Sequence, residues 1–161
     1  MENVAFIGIG SNLGDKIRNC ESAIERLAKL RGSRVLERSS LYKTEPIGYR
    51  EQDWFVNCVV KIGTAWRPHV LFCHLKDIEK ALGRQKTFMW GPRVIDLDLL
   101  LYNTDRYSDR DLQIPHPRLH ERAFVLVPLC EIAPETIHPG LGKTARKLLE
   151  ALDKAETVEK M

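Results

Sequence analysis

The stretch WGPRVIDLDLLLY, residues 90–102, sets Asp96 and Asp98 two positions apart in a run that otherwise reads as a buried strand. Side chains two apart on a strand share a face, with their Cα atoms about 7 Å apart. Two carboxylates about 6 Å apart, at an effective dielectric near 20, repel by roughly 3 kcal/mol. The spacing therefore requires positive charge between them. Cations lie close by in sequence: Arg93 just before the strand, Arg84 and Lys86 at the start of the preceding loop, and His116 beyond the next turn region. Two hard carboxylates among several cations suit Mg²⁺ carrying a polyphosphate, because Mg²⁺ takes one or two carboxylates and completes its shell with phosphate oxygens and water. Arginines in such a place act as bidentate clamps on a phosphoryl group in transfer. A lone D-x-D on an edge strand with a solvated face would carry no such meaning; the neighbouring cations separate the two readings.

Periodicity shows which elements must hold these groups. VAFIGIG (4–10) is a short apolar run ended by the turn residues GSNLGD, which predicts a first strand. A helix is expected from about Asp15 to Arg31, where Ile17, Cys20, Ile24, Leu27 and Ala28 recur at three- and four-residue steps. SRVLERSSLYKT (33–44) predicts a strand, EPIGYREQD (45–53) a loop, and WFVNCVVKIGT (54–64) another strand. Pro68 opens a second helix whose stripe is Leu71, Leu75, Ile78 and Leu82, closed by Gly83. Residues 84–93 show no period and form a basic, aromatic loop; the strand with the two aspartates follows, to about Tyr102. TARKLLEALDKAE near the C-terminus predicts a short helix with a frayed end. The order β-α-β-β-α-β with C-terminal additions is an α+β, ferredoxin-like α/β sandwich built on an antiparallel sheet.

The 161 residues fit one domain, taken here as 1–161, with 43% apolar and 29% charged residues and a net charge of +3. That charge is too small to imply a nucleic-acid partner. No apolar run reaches the ~18 residues of a membrane span, and the N-terminus lacks the basic region of a signal peptide. Cys20, Cys58, Cys73 and Cys130 are scattered without a C-x-x-C pair, which suits free thiols in a cytoplasmic protein. GIGSNLG has G-x-G-x-x-x-G spacing and its next strand is followed by another strand, so a dinucleotide fold does not fit. GLGKT (140–144) has Ile137 where a P-loop needs glycine. His116 and His120 stand at zinc-like spacing, but Pro117 lies between them and no third ligand is near.

Together, GSNLGD (10–15), SSLYKTEPIG (39–48), FVNCVV (55–60), GPRVIDLDLLLY (91–102) and IPHPRLHERAFVLVPLCEIAP (114–134) cover almost the whole chain. In this set and order they resemble the 6-hydroxymethyl-7,8-dihydropterin pyrophosphokinase family of folate biosynthesis. The resemblance implies ATP-dependent transfer of a pyrophosphoryl group to the pterin hydroxymethyl oxygen, with release of AMP. It implies that Asp96 and Asp98 hold two Mg²⁺ ions, one across the α- and β-phosphates and one across the β- and γ-phosphates. Arg84 and Arg93 match lid arginines on the migrating group; Lys86, Leu99, His116 and Arg122 join them around ATP. Asn57 would read the amide edge of the pterin with its paired donor and acceptor. Phe55 and Phe124 would stack on the ring, with Thr44, Pro46, Ile47, Trp90 and Asp96 completing that site. The loop 84–93 becomes a lid that closes over both substrates. The implied partners are those two small molecules alone, bound by a monomer, with no nucleic acid or membrane.

Some positions depart from the family pattern. The lid is slightly short, Asp111 stands where some members carry arginine (Arg110 is its neighbour), Pro117 replaces a tyrosine, and Phe55 replaces a tyrosine at the pterin-facing position. None touches the carboxylate pair. Two other readings start from the same residues. An RNA-recognition module would carry an aromatic signature on its third strand, which DWFVNCVVKIG lacks. An ordinary kinase releasing ADP would use the same carboxylates and arginines, and only the resemblance favours attack at the β-phosphorus.

Overall fold

Strand β1 (Asn3–Ser11) is buried on both faces, which is why VAFIGIG is apolar almost throughout. Ala5, Ile7 and Ile9 face one way; Phe6, Gly8 and Gly10 face the other, as strand alternation requires. A computed structural model of the chain describes residues 2–45, 53–83, 93–152 and 157–161. Pro46, Ile47, Arg84, Lys86, Trp90 and the rest of the expected lid as far as Pro92 lie outside the described residues.

After β1 come α1 (Lys16–Lys29), β2 (Ser33–Arg38), β3 (Tyr42–Thr44), β4 (Phe55–Thr64), α2 (Pro68–Ala81) and β5 (Asp96–Tyr102). The two-residue strands β6 (Tyr107–Ser108) and β7 (Gln113–Ile114) lead to a 3₁₀ turn at Leu119–Glu121 and to α3 (Ala123–Ile132). β8 (Ile137–His138), β9 (Lys143–Thr144), α4 (Ala145–Glu150) and β10 (Val158–Lys160) complete the chain. Asp15 caps α1 by accepting the Arg18 N–H at 3.3 Å. Pro68 starts α2 where its missing N–H costs nothing.

The main sheet runs β10-β3-β4-β1-β5, with β2 also paired to β4, and every pairing is antiparallel. This is the ferredoxin-like arrangement expected from the sequence. Cys20, Ala23, Ile24 and Leu27 of α1 and Leu71, Leu75 and Ile78 of α2 pack on the Ala5–Ile7–Ile9 face. Val125, Leu126 and Leu129 of α3, with Ala145 and Leu148 of α4, cover the opposite face around Phe6, Val59 and Leu100. The C-terminal additions thus supply a third layer. Among the described residues, no helix is long and apolar enough to cross a membrane.

Three local readings are corrected. The expected strand 33–44 is broken into β2 and β3 because Ser39 turns inward: its Oγ accepts the Val59 N–H at 2.9 Å and donates to the Ser40 carbonyl at 2.8 Å. The short C-terminal helix runs over Ala145–Glu150, residues 153–156 of the expected stretch lie outside the described residues, and the unexpected element is β10, which pairs on the edge of β3. Helix α3 escaped notice because AFVLVPLCEI is apolar on nearly every side and holds Pro128, so it shows no amphipathic stripe.

Candidate active site

Register places the chemistry. Gly10 pairs with Asn57 on one side and with Asp96 on the other; one step along, Gly8 pairs with Val59 and Asp98. Cross-strand partners point to the same face, and adjacent strands lie about 4.8 Å apart. Asn57 and Asp96 therefore stand about 9.6 Å apart, with only glycine between them. The missing side chains leave a slot on the α3 side of the sheet. Gly8, Gly10, Thr44, Glu45, Phe55, Asn57, Arg93, Asp96, Asp98, Arg122 and Phe124 line it.

Each wall has a local cause. Asn57 is 6% exposed, and one of its amide hydrogens goes to Thr44 Oγ1 at 2.6 Å. That bond orients the amide while leaving a second N–H and the carbonyl oxygen for a ligand. Arg122 and Phe124 come from the start of α3, with the guanidinium 5.3 Å from the ring centroid. Arg93 is held by its backbone: its N–H donates to Asn12 Oδ1 at 2.8 Å, and its carbonyl accepts the Asn12 N–H at 3.0 Å. This pairing gives the GSNLGD segment its task of fixing the entry to β5.

The carboxylates are unequal. Asp96 Oδ2 accepts from Arg93 Nη1 at 3.1 Å. Burial, then the Asp96 charge, push the Asp98 carboxyl up to about 7, against the opposing pull of Arg122 and Lys76. Burial also lowers the pKa of Arg122. Between the aspartates, the Leu97 N–H points off the sheet edge and donates to Glu79 Oε2 at 2.7 Å. Glu79 is 2% exposed and is also bridged by Lys76 at 3.2 Å. Glu79→Ala leaves a buried N–H unpaired and should cost about 2 kcal/mol, read as a lower urea midpoint, whereas Glu79→Gln keeps an acceptor and should cost much less. Equal midpoints for the two variants would remove this role.

A second cleft of about 370 Å³ opens on the other side of Asp98, lined by Phe72, Lys76, Leu99, Arg110, Asp111, His116 and Pro117 among others. His116 Nδ1 accepts the Arg118 N–H at 3.1 Å, which leaves Nε2 to carry the ring proton. Burial and then the Arg122 charge hold its pKa near 4, so it is a neutral donor at physiological pH. Leu99 is 4% exposed, and its side chain also belongs to the core under α1 and α2.

The structure brings Thr44, Phe55, Asn57, Arg93, Asp96, Asp98, Arg122 and Phe124 around one slot, and places Leu99 and His116 in the adjoining cleft. Gly10, Asn12, Glu45, Lys76 and Glu79 were not singled out from sequence. Only the spacing of GIG on a buried strand hinted at the slot. Among the described residues no three His, Cys, Asp or Glu side chains converge as a metal cage. The donor set is thus two carboxylates, one of them resisting ionisation through its burial and then its neighbour's charge. This pair fits a hard divalent cation whose remaining ligands come from phosphate and water, and does not fit a closed structural zinc site.

A family model described as 7,8-dihydro-6-hydroxymethylpterin-pyrophosphokinase matches residues 6–134. A 2-amino-4-hydroxy-6-hydroxymethyldihydropteridine pyrophosphokinase of Methylorubrum extorquens is 48% identical over 149 residues, covering 92% of this chain and 93% of its own length. The Bacillus subtilis protein of the same name is 42% identical over 132 residues, covering 82% of this chain and 79% of its own. Among solved structures, the wild-type HPPK-DHPS protein of Plasmodium falciparum with pteroate superposes with a TM-score of 0.74 at 15% identity, over 93% of this chain. The chain spans 42% of the length of that protein, and the likeness speaks for the fold alone. The match over most of its length, and the close identity to relatives of similar size, establish that this chain belongs to the 7,8-dihydro-6-hydroxymethylpterin-pyrophosphokinase family.

Proposed function

We propose that Asp96 and Asp98 hold two Mg²⁺ ions between a pterin in the slot and ATP in the adjoining cleft, and that residues around this junction carry out pyrophosphoryl transfer. The activity class, a pyrophosphokinase of folate biosynthesis that uses ATP, follows from family membership. The observation that carries the residue assignment is that Asp98 lines both clefts. The reacting groups of two separate ligands would meet there.

In this reading Asn57 reads the amide edge of the pterin, Thr44 holds Asn57 in place, and Phe55 and Phe124 stack on the ring. His116 donates its Nε2 proton to a phosphate oxygen, while Leu99 and Arg122 border the nucleotide. Arg93 exchanges its ion pair with Asp96 for the migrating group. Arg84, Lys86 and Trp90 of the lid, with Pro46 and Ile47, complete the assignment by their match to the family motifs. Bound Mg²⁺ supplies charge neutralisation on the triphosphate and lowers the proton affinity of the attacking hydroxyl. The hydroxymethyl oxygen bonds to the β-phosphorus, the bond to the α–β bridging oxygen breaks, and AMP leaves with the electron pair as the hydroxyl proton passes to water. The protein's share is positioning and charge placement.

The test is to mix the protein with ATP, Mg²⁺ and 6-hydroxymethyl-7,8-dihydropterin and to resolve the nucleotides. AMP in step with pterin consumption is expected; ADP would mean γ-phosphoryl transfer. A second prediction concerns the slot floor. A Cβ built on Gly10 falls 2.6 Å from Asn57 Oδ1, too close for either to stay in place. Gly10→Ala should therefore raise the pterin KM by about two orders of magnitude, the worth of two lost hydrogen bonds, with the ATP KM little changed. An unchanged pterin KM would show that Asn57 does not read the ring.

A further inference from the structure

The C-terminal strand β10 lies beyond the family-matched segment 6–134, yet it forms the outer support of the slot. Val158 pairs with Thr44, Glu159 with Lys43 and Lys160 with Tyr42. The Glu45 N–H donates to the Thr157 carbonyl at 3.3 Å, and the Thr157 N–H donates to Glu45 Oε1 at 3.2 Å. Glu45 itself lines the slot. At the other end, the Met161 N–H donates to the Leu41 carbonyl at 3.0 Å. Glu131 of α3 accepts from Tyr42 Oη at 2.7 Å and from the Ser40 N–H at 2.9 Å, and lies 3.9 Å from Lys160 Nζ. Strand β3, three residues long, is thus framed by β4 on one edge and β10 on the other.

We infer that β10 is a positioning element for pterin recognition. It holds Thr44 and Glu45 directly and, through the Thr44 Oγ1 bond, sets the orientation of Asn57. Strand pairing gives this its physical basis. The hydrogen-bonded positions are Thr157–Glu45 and Met161–Leu41, so the alternation of an antiparallel ladder makes Val158–Thr44 a close, non-hydrogen-bonded pair on one face of the sheet. Without β10, β3 becomes a short edge with one bonded neighbour, and Thr44 loses the paired strand on its outer side. The nucleotide cleft, lined by residues of α2, β5 and the segment after it, has no part in this frame.

The inference rests on the pterin occupying the slot, and the experiment separates the two. AMP formation by the intact chain is measured first; its failure would overturn the proposed reaction. Pterin affinity is then measured in Mg²⁺ and α,β-methylene-ATP, and ATP affinity in Mg²⁺ alone, for a chain ending at Leu152, for Glu159→Pro and for Glu159→Ala. Proline at 159 removes the next ladder donor while keeping the tail, which guards against a truncated chain that fails to fold. The shortened chain and Glu159→Pro should bind pterin at least tenfold more weakly and ATP within twofold of normal, and Glu159→Ala, which keeps the backbone N–H, should retain both affinities. Unchanged pterin binding in the folded Glu159→Pro variant, or an equal loss of both ligands, would overturn the positioning role.

Discussion

Asp98→Asn is expected to lower turnover by a thousandfold or more while leaving the fold at least as stable as before. A metal that neutralises transition-state charge contributes several kcal/mol, and each 1.4 kcal/mol is a factor of ten in rate. The amide cannot serve as an anionic ligand. It also removes a carboxylate whose pKa is raised by its burial and then by the Asp96 charge across a single residue, so both penalties on the charged form disappear. The sign of the pH dependence follows from the same shift. In metal-free protein the folded Asp98 carboxyl titrates near 7 instead of 3.8, so the native state holds its proton more tightly than the unfolded chain. That stabilisation is fully present below about pH 4 and is lost as pH rises through 7, by at most about 4 kcal/mol. Thermal melts in chelator should therefore fall between pH 5 and 8 for the wild type and stay flatter for Asp98→Asn. Added Mg²⁺ should restore only the wild type. Near-normal activity of the variant in saturating Mg²⁺ would sink the metal assignment.

Arg93→Ala should cut kcat by roughly 10²- to 10³-fold, the usual worth of a group aimed at developing charge, and leave the pterin KM within a few-fold. The guanidinium sits 3.1 Å from Asp96, and its backbone is clasped on both sides by Asn12, so its root does not move when the side chain changes partners. Lysine is a poor substitute because it is a point charge without the planar fork that grips a phosphoryl group; Arg93→Lys should recover less than a tenth of the lost rate. Steady-state kinetics with each substrate varied in turn separates the effects. If the pterin KM rises while kcat holds, Arg93 belongs to the slot and not to the transferring group.

What the sequence determined by itself was what depends on neighbours along the chain. Alternation within β5 puts Asp96 and Asp98 on one face whatever surrounds them, and the i, i+4 stripe of Leu71, Leu75 and Ile78 specifies α2 without reference to the sheet. The motif set was specific enough to identify the family, and the resemblance drew attention to Asn57, Phe55 and Phe124, which line one slot, and to His116 in the adjoining cleft. The tertiary structure decided what lies between those residues. Nothing local says that Gly10 pairs with both Asn57 and Asp96, because cross-strand register is fixed by the packing of whole strands. Nor does the sequence show that Glu79 satisfies the Leu97 N–H, that Asn12 clasps Arg93, or that the last residues return to the edge of β3. Each of these is a polar group meeting a backbone partner far away in sequence, chosen only once burial has removed water as the alternative.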